Sequence, residues 1–158
     1  MKYKRGAAVT DIITGTVLLL AYLIYALAIN TPGADDIKGW ATLMIIFILA
    51  GIGVAIVTHI IYHIVFTASV ARKEQEDCCG ETEKIISSEM IDDERDKQIR
   101  LRANNIGYML VGAGIVIALV ALVVDFSAVV GLNIIFVSVM ATQIICGAIS
   151  LNLYTKGV

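Results

Sequence analysis

Four long stretches of this chain contain no charged residue and are mostly apolar, and each is at least 18 residues long. A helix of about 20 apolar residues is long enough to cross the ~30 Å hydrocarbon core of a bilayer. Within lipid, a helix satisfies its own backbone polar groups. The pattern therefore predicts a single all-α domain, an integral membrane four-helix bundle. Its predicted spans lie at about residues 10–29, 40–71, 105–124 and 127–154.

The second apolar stretch is too long for the bilayer alone. Residues 40–71 would form a helix of about 48 Å at 1.5 Å per residue, and the polar residues after it include no helix breaker before Gly80. Asp92 or Asp93 is expected to cap a charged helix that leads into the third span, because its acidic residues precede its basic ones. Helices two and three are therefore predicted to extend into a cytoplasmic helical hairpin of about residues 72–104.

Capping and breaker residues indicate the other helix ends. Thr10 or Asp11 is expected to cap the first helix, and Pro32 and Gly33 are expected to follow its end. A tight turn is predicted near Asp125, between the third and fourth spans. On the outer side, the connections between consecutive spans are therefore predicted to be short.

Small residues spaced four apart predict close contacts between helices. Such pairs are Gly51 and Ala55, Gly114 and Ala118, and Ser138 and Thr142. In a membrane, small side chains let helix backbones approach closely. These seams and the unequal span lengths also predict a homo-oligomer, because they leave grooves that a second copy of the chain can fill.

Positive charge is distributed unevenly between the two faces of this four-span path. Eleven of the twelve Lys and Arg residues lie before the first span, between the second and third, or after the fourth. Only Lys38 falls in the loop between the first and second spans. The positive-inside rule places the lysine- and arginine-rich face in the cytoplasm. The sequence therefore predicts a multi-pass protein of the plasma (inner) membrane with both termini cytoplasmic.

Composition narrows the classes of function and partner. The chain is 58% hydrophobic with a mean hydropathy of +0.84, which fits a lipid bilayer as its surroundings. Residues 71–105 hold ten Asp or Glu against seven Lys or Arg. Binding of nucleic acid or of anionic lipid needs net positive charge, so neither is expected at this segment, and no nucleic acid is expected as a partner. The sequence offers no nucleophile–base arrangement and no glycine-rich phosphate loop. A non-enzymatic protein without a cofactor is therefore expected.

His59 and His63 are four residues apart on the second span, so they share one helix face. Cys146 lies at a similar depth on the fourth span. Two imidazoles and a thiolate are suitable metal ligands, so His59, His63 and Cys146 form the candidate metal site. The alternative is an interfacial belt in which both histidines and Tyr62 hydrogen-bond to neighbouring groups.

The triplet Cys78-Cys79-Gly80 resembles the Cys-Cys-Gly triplet of tetraspanins, which also have four spans. Tetraspanins carry theirs in a large extracellular loop between spans three and four, whereas this one lies between spans two and three. A reducing cytoplasm disfavours a structural disulfide at that place. The pair is open to a soft-metal, lipidation or redox role, or it is a helix end before a glycine cap.

A charged run leads directly into the third span, Asp92-Asp93-Glu94-Arg95-Asp96-Lys97-Gln98-Ile99-Arg100-Leu101-Arg102-Ala103. It resembles the D-E-R-D-like run that uncharacterised small prokaryotic membrane proteins share just before the third of about four helices. Such proteins are often suspected of acting beside transcription regulators or transporters. The resemblance implies a similar role for this chain.

Most charged residues are concentrated in the predicted hairpin, while the spans lack catalytic and transport-type groups. The leading hypothesis is therefore a non-enzymatic regulatory or scaffolding protein whose hairpin docks a cytoplasmic protein partner. The candidate contact residues lie at the tip of the hairpin and on its second helix: Ile85, Ile86, Met90, Asp93, Arg95 and Asp96. The alternative is a small homo-oligomeric transporter or channel, with polar span residues such as Thr14 and Gln143 as candidates.

Overall fold

The computed structural model describes residues 2–29, 32–33, 35–74 and 94–156, and within these residues it shows four long helices and no strand. The helices are α1 over Lys2–Ile24, continued by a π-helical turn over Tyr25–Ile29, α2 over Ile37–Glu74, α3 over Glu94–Val123 and α4 over Ala128–Lys156. All four are long and apolar enough to cross a membrane. The prediction of an all-α bundle with four apolar spans is therefore confirmed.

The helices pack in the order α2, α1, α4, α3 rather than in chain order. α4 packs against both α3 and α1, and α1 packs against α2. α2 touches α4 only slightly, and the described residues of α2 and α3 make no contact with each other. α2 therefore leaves large apolar side chains uncovered on most of its surface, among them Leu49, Ile56 and Ile64.

Consecutive helices run in opposite directions, and the two ends of the bundle differ in composition. We call the end where α1 and α3 begin and α2 and α4 finish the basic end, and the opposite end the loop end. At the basic end, Lys4 of α1 forms an ion pair with Asp96 of α3. Arg5 Nη2 donates a hydrogen bond of 2.7 Å to the carbonyl of Tyr154, near the end of α4. These contacts connect α1 to α3 and to α4.

Large side chains pack together in the half of the bundle nearer the loop end. Tyr22 is only 1% exposed, and its ring centroid lies 4.4 Å from that of Phe136 and 5.4 Å from that of Phe47. Its hydroxyl donates a hydrogen bond of 2.6 Å to Asn133 Oδ1. Trp40 is also buried in this cluster. We call Tyr22, Trp40, Phe47, Asn133 and Phe136 together the loop-end core.

The tight turn predicted near Asp125 is confirmed. Asp125 adopts a left-handed backbone with φ of 64°, a conformation that Asp tolerates better than most residues. The Phe126 N–H bonds to the Ala121 carbonyl and the Asp125 N–H to the Leu122 carbonyl. These two bonds form a Schellman motif that ends α3. α4 then begins at Ala128 and packs antiparallel to α3.

The predicted cap of the first helix is wrong, because α1 begins well before Thr10. Its start at Lys2 is stabilised by the contacts of Lys4 and Arg5 with α3 and α4. The Thr10 hydroxyl instead donates a hydrogen bond of 3.0 Å to the Gly6 carbonyl within the helix. Asp11 lies a full turn and more inside α1, where it contacts His59.

The described stems of the predicted hairpin do not pair with each other. α2 continues past residue 71 to Glu74 and α3 begins at Glu94, as the charged helix-forming runs predict. However, α1 and α4 lie between α2 and α3, and the Lys4–Asp96 ion pair connects the first turns of α3 to α1. The predicted tip, including Cys78, Cys79 and Gly80, lies outside the described residues. The hairpin as a unit stays a prediction.

Candidate functional site

The largest group of polar side chains surrounds a cavity of about 560 Å³ between α1, α3 and α4. We call it the basic-end cavity, because every residue that lines it lies in the half of its helix nearer the basic end. Its charged, amide and hydroxyl groups belong to Tyr3, Lys4, Asp11, Arg100, Asn104, Gln143, Ser150 and Tyr154. The basic-end cavity thus brings charged, amide and hydroxyl groups of three helices together.

The depth of this cavity follows from helix geometry. At 1.5 Å per residue from the loop end, Gln143 lies about 22 Å along α4 and Tyr154 about 39 Å. A hydrocarbon core of ~30 Å that starts at the loop end would finish between these two residues. The cavity therefore begins about 8 Å inside such a core and continues past its border. Toward the loop end from Gln143 lie the loop-end core and, beside it, a mostly apolar cavity of about 540 Å³.

Asp11 and His59 connect α1 to α2 near the border of that hydrocarbon core. His59 Nε2 lies 2.9 Å from Asp11 Oδ1, and both side chains are partly exposed. Asp11 also lines the basic-end cavity, whereas His59 does not. The imidazole thus gives a partner to a carboxylate that would otherwise enter the apolar layer alone, which a charged group does only at high cost.

The structure does not bring the three predicted metal ligands together. His59 contacts Asp11 across the α1–α2 interface, and the Tyr3 ring stacks edge-on against His63 at 6.3 Å. Cys146 faces α3 instead, where Sγ donates a hydrogen bond of 3.2 Å to the Ala103 carbonyl. The described residues contain no group of three or more His, Cys, Asp or Glu side chains that could hold a metal ion.

Two of the six predicted partner-contact residues lie in the described part of the chain. Asp96 is mostly buried and pairs with Lys4. Arg95 is partly buried and borders a second, smaller cavity between α3 and α4. The other four, Ile85, Ile86, Met90 and Asp93, lie outside the described residues. The structure therefore places one predicted contact inside the bundle's own packing and one beside a cavity.

The lining of the basic-end cavity offers many groups that can bind a polar molecule. Cys146, its one lining thiol, bonds to a backbone carbonyl rather than to a base that could activate it. The amides of Asn104 and Gln143 and the hydroxyl of Ser150 offer both donors and acceptors. Lys4, Arg100 and Asp11 add charges of both signs. A polar ligand or a polar protein segment fits this lining.

Sequence reasoning missed two features of this site. Asp11 was expected at a helix cap, but it lines the cavity and contacts His59. The available signal was its isolation, since no other charged residue lies between Arg5 and Asp35. Asn104 gave no signal, because an amide at a span border is common. Gln143, in contrast, was expected among the polar span residues and does line the cavity.

The chain matches no protein-family model, and neither the curated proteins nor the solved structures include a significant match to it. The resemblance of the run before α3 to small prokaryotic membrane proteins therefore stays a prediction.

Proposed function

We propose that this chain is a non-enzymatic multi-pass membrane protein whose basic end faces the cytoplasm and docks a protein partner there. Its role would be regulatory or scaffolding, with the four spans as the anchor. The observation that carries the proposal is the contrast between the ends. The basic end holds a cavity of about 560 Å³ between three helices, and each of these helices contributes a charged or amide side chain to its lining. The loop end also has cavities, of about 740 and 540 Å³, but among the described residues neither is lined by charged or amide side chains of three helices.

The distribution of charge supports the orientation. Of the described Lys and Arg residues, only Lys38 lies near the loop end, and the positive-inside rule then assigns the basic end to the cytoplasm. The loop end offers only the short segment before α2 and the turn at Asp125 as a surface for soluble proteins. A partner of any size would therefore meet the chain at the basic end.

The fixed position of the first turns of α3 supports docking at this end. Ile99 and Ala103 are buried, and Asp96 pairs with Lys4. Residues of α3 on the opposite side, such as Lys97 and Leu101, are exposed. An ordered helix with an exposed charged and apolar side can bind a partner without a large loss of conformational entropy.

Photo-crosslinking in intact cells would test the docking proposal. A photoreactive residue would replace Lys97, Ile86 or Met90, and Val120, which is exposed in the loop-end half of α3, would serve as the matched control. We expect the first three positions to give the same protein adduct and Val120 to give none. Deleting residues 79–89 should abolish the adduct. An adduct that survives the deletion, or none at any position, would count against docking by the hairpin.

A second candidate is a small transporter or channel, because the basic-end cavity reaches into the apolar layer at Gln143. Proteoliposome assays of proton and monovalent-cation flux would test it, comparing Gln143→Leu with Val139→Leu on the exposed surface of the same helix. A flux that only the first substitution reduces would favour transport. Absence of flux in the unsubstituted protein would favour docking.

We also propose that the chain forms a homo-oligomer through the uncovered surface of α2. An added Cβ at Gly53 would meet no atom within 4 Å, whereas at Gly51 it would lie 3.4 Å from Leu18 of the same chain. Gly53 is thus a place where a second helix can approach. Gly53→Leu should convert the oligomer to smaller species in single-molecule photobleaching, whereas Ile52→Leu should not. Unchanged step counts for Gly53→Leu would place the contact elsewhere.

A further inference from the structure

Arg95, in the first turns of α3, has two guanidinium nitrogens that are buried and have no hydrogen-bond partner. Nε and Nη2 are almost completely shielded from solvent, and neither has an acceptor within the described residues. Buried polar groups are nearly always hydrogen-bonded, and a buried charge without a partner is strongly disfavoured. These donors therefore indicate an anionic ligand.

The Arg95 side chain borders a cavity of about 100 Å³ between α3 and α4. The cavity is lined by Arg95, Gln98, Ile99 and Arg102 of α3 and by Leu153 of α4. The four α3 residues lie at positions i, i+3, i+4 and i+7 of the helix, so they share one helix face. This volume is several times the ~10–15 Å³ that one water molecule needs on the same measure. It can hold a small oxyanion group.

The carboxylates next to Arg95 in the chain have other partners. Asp96 pairs with Lys4, and Glu94 Oε2 lies 3.6 Å from Lys97 Nζ. The described residues that line the cavity include two arginines and one glutamine but no acidic side chain. A guanidinium group presents paired, planar N–H donors that match the oxygens of a phosphate. The Gln98 amide can add a further donor.

The depth of the cavity suits a phospholipid phosphate. Arg102 lies about 32 Å and Arg95 about 42 Å from the loop end of α3 at 1.5 Å per residue. With a hydrocarbon core of ~30 Å, the cavity falls in the head-group layer at the basic end. Basic pockets between spanning helices on the cytoplasmic side commonly bind anionic head groups.

We propose that Arg95, Gln98 and Arg102 form a binding site for a single phosphate group at the basic end of the bundle. The phosphate belongs to an anionic phospholipid head group or to a soluble phosphate, and both would use the same donors. The site goes beyond partner docking and does not depend on it.

The test uses the full chain, purified in detergent and stripped of lipid. Short-chain phosphatidylglycerol and inorganic phosphate are titrated separately, with the melting temperature and native mass spectrometry as readouts. The variants are Arg95→Gln and Arg102→Gln. Lys97→Gln is the matched control, because Lys97 lies on the same helix but does not line the cavity.

We expect Arg95→Gln and Arg102→Gln to weaken binding at least about ten-fold, as losing a charged hydrogen bond implies, and Lys97→Gln to change it less than two-fold. Without either probe, Arg95→Gln should melt at the same temperature as the unsubstituted protein or higher, because it removes two buried donors that have no hydrogen-bond partner. Arg102 is exposed, so Arg102→Gln is expected to fold in any case.

The two probes separate the sources of the phosphate. Binding of phosphatidylglycerol alone identifies a lipid head group, and binding of inorganic phosphate identifies a soluble ligand. The proposal is overturned if neither probe binds the unsubstituted protein. It is also overturned if Lys97→Gln weakens binding as much as Arg95→Gln, because that result indicates only general attraction by positive charge.

Discussion

Close packing between α3 and α4 depends on individual glycines. A Cβ built at Gly107 would lie 2.7 Å from Cys146 Sγ, and one at Gly114 would overlap the Ser138 side chain. One built at Gly112, on the same helix, would meet nothing within 4 Å. The small-residue pairs predicted from the sequence, Gly114 with Ala118 and Ser138 with Thr142, therefore do mark a packed seam. The sequence could not show that the two pairs lie on one interface.

Gly114→Val should destabilise the protein more than Gly112→Val. Both substitutions place the same branched side chain in α3, but only the first forces α3 away from Ser138. We expect the difference in the free energy of unfolding to be about 1–3 kcal/mol, the usual effect of overpacking. Thermal or denaturant unfolding in detergent, followed by circular dichroism, would measure it. Equal effects of the two substitutions would mean that this seam is not closely packed.

The Tyr22 hydroxyl should contribute measurably to the loop-end core. Tyr22→Phe removes the 2.6 Å hydrogen bond to Asn133 and leaves the ring in place. Hydrogen bonds between spanning helices contribute about 0.6 kcal/mol on average and up to about 1.7 kcal/mol, so we expect a loss in this range. Tyr108→Phe, at a Tyr that is 74% exposed, is the control and should have no effect. Equal unfolding midpoints for both variants would contradict a stabilising role for the hydrogen bond between Tyr22 and Asn133.

At the scale of the helices, the four elements could be predicted but their order could not. Charge-free stretches predict the spans, and acidic residues before basic ones predict a helix from Glu94 into the third span, as observed. The order α2, α1, α4, α3 depends on which side of each helix meets which neighbour. Each span is apolar on all sides, because lipid and protein interior select the same residues. Periodicity therefore carries little information about the faces.

The ion pair between Lys4 and Asp96 should be the main polar connection between α1 and α3. The two side chains are only 14% and 17% exposed, so Lys4→Ala removes an ion-pair contact from a mostly buried carboxylate. We expect a loss of about 1.5–3 kcal/mol in the free energy of unfolding. Lys97→Ala removes an exposed pair with Glu94 and should change it by less than about 1 kcal/mol.

Exchanging the two charges tests whether loss of the ion pair, rather than loss of other contacts of either side chain, lowers the stability. The double variant Lys4→Asp with Asp96→Lys should recover part of the stability that each single variant loses. Losses that simply add would mean that the two residues do not interact in solution.

For the molecule as a whole, the two ends differ in a way that the sequence predicts only in part. The bias of Lys and Arg predicts a basic end, and the structure adds a polar cavity there and a loop-end core opposite it. The cavity could not be predicted, because Asp11, Asn104 and Gln143 belong to three helices whose relative rotation the sequence leaves open. The predicted hairpin tip remains untested, since residues 75–93 lie outside the described part of the chain.

The proposed orientation requires that water reaches the basic-end cavity from the cytoplasm and not from the loop end, and Cys146 gives a direct probe of this access. Replacing Cys78 and Cys79 by Ala leaves Cys146, which lines the cavity, as the only thiol. A membrane-impermeant thiol reagent is then added to sealed right-side-out and inside-out vesicles. A Lys38→Cys variant that lacks all three native cysteines is the control for the loop end. It should react only in right-side-out vesicles.

The account predicts that Cys146 reacts in inside-out vesicles and not in right-side-out ones. Labelling from the outside would contradict it, because a path through the loop-end core or the opposite orientation would then be required. The Lys38→Cys control separates these two explanations. Failure to react from either side would also contradict it, since Cys146 would then line no water-accessible cavity.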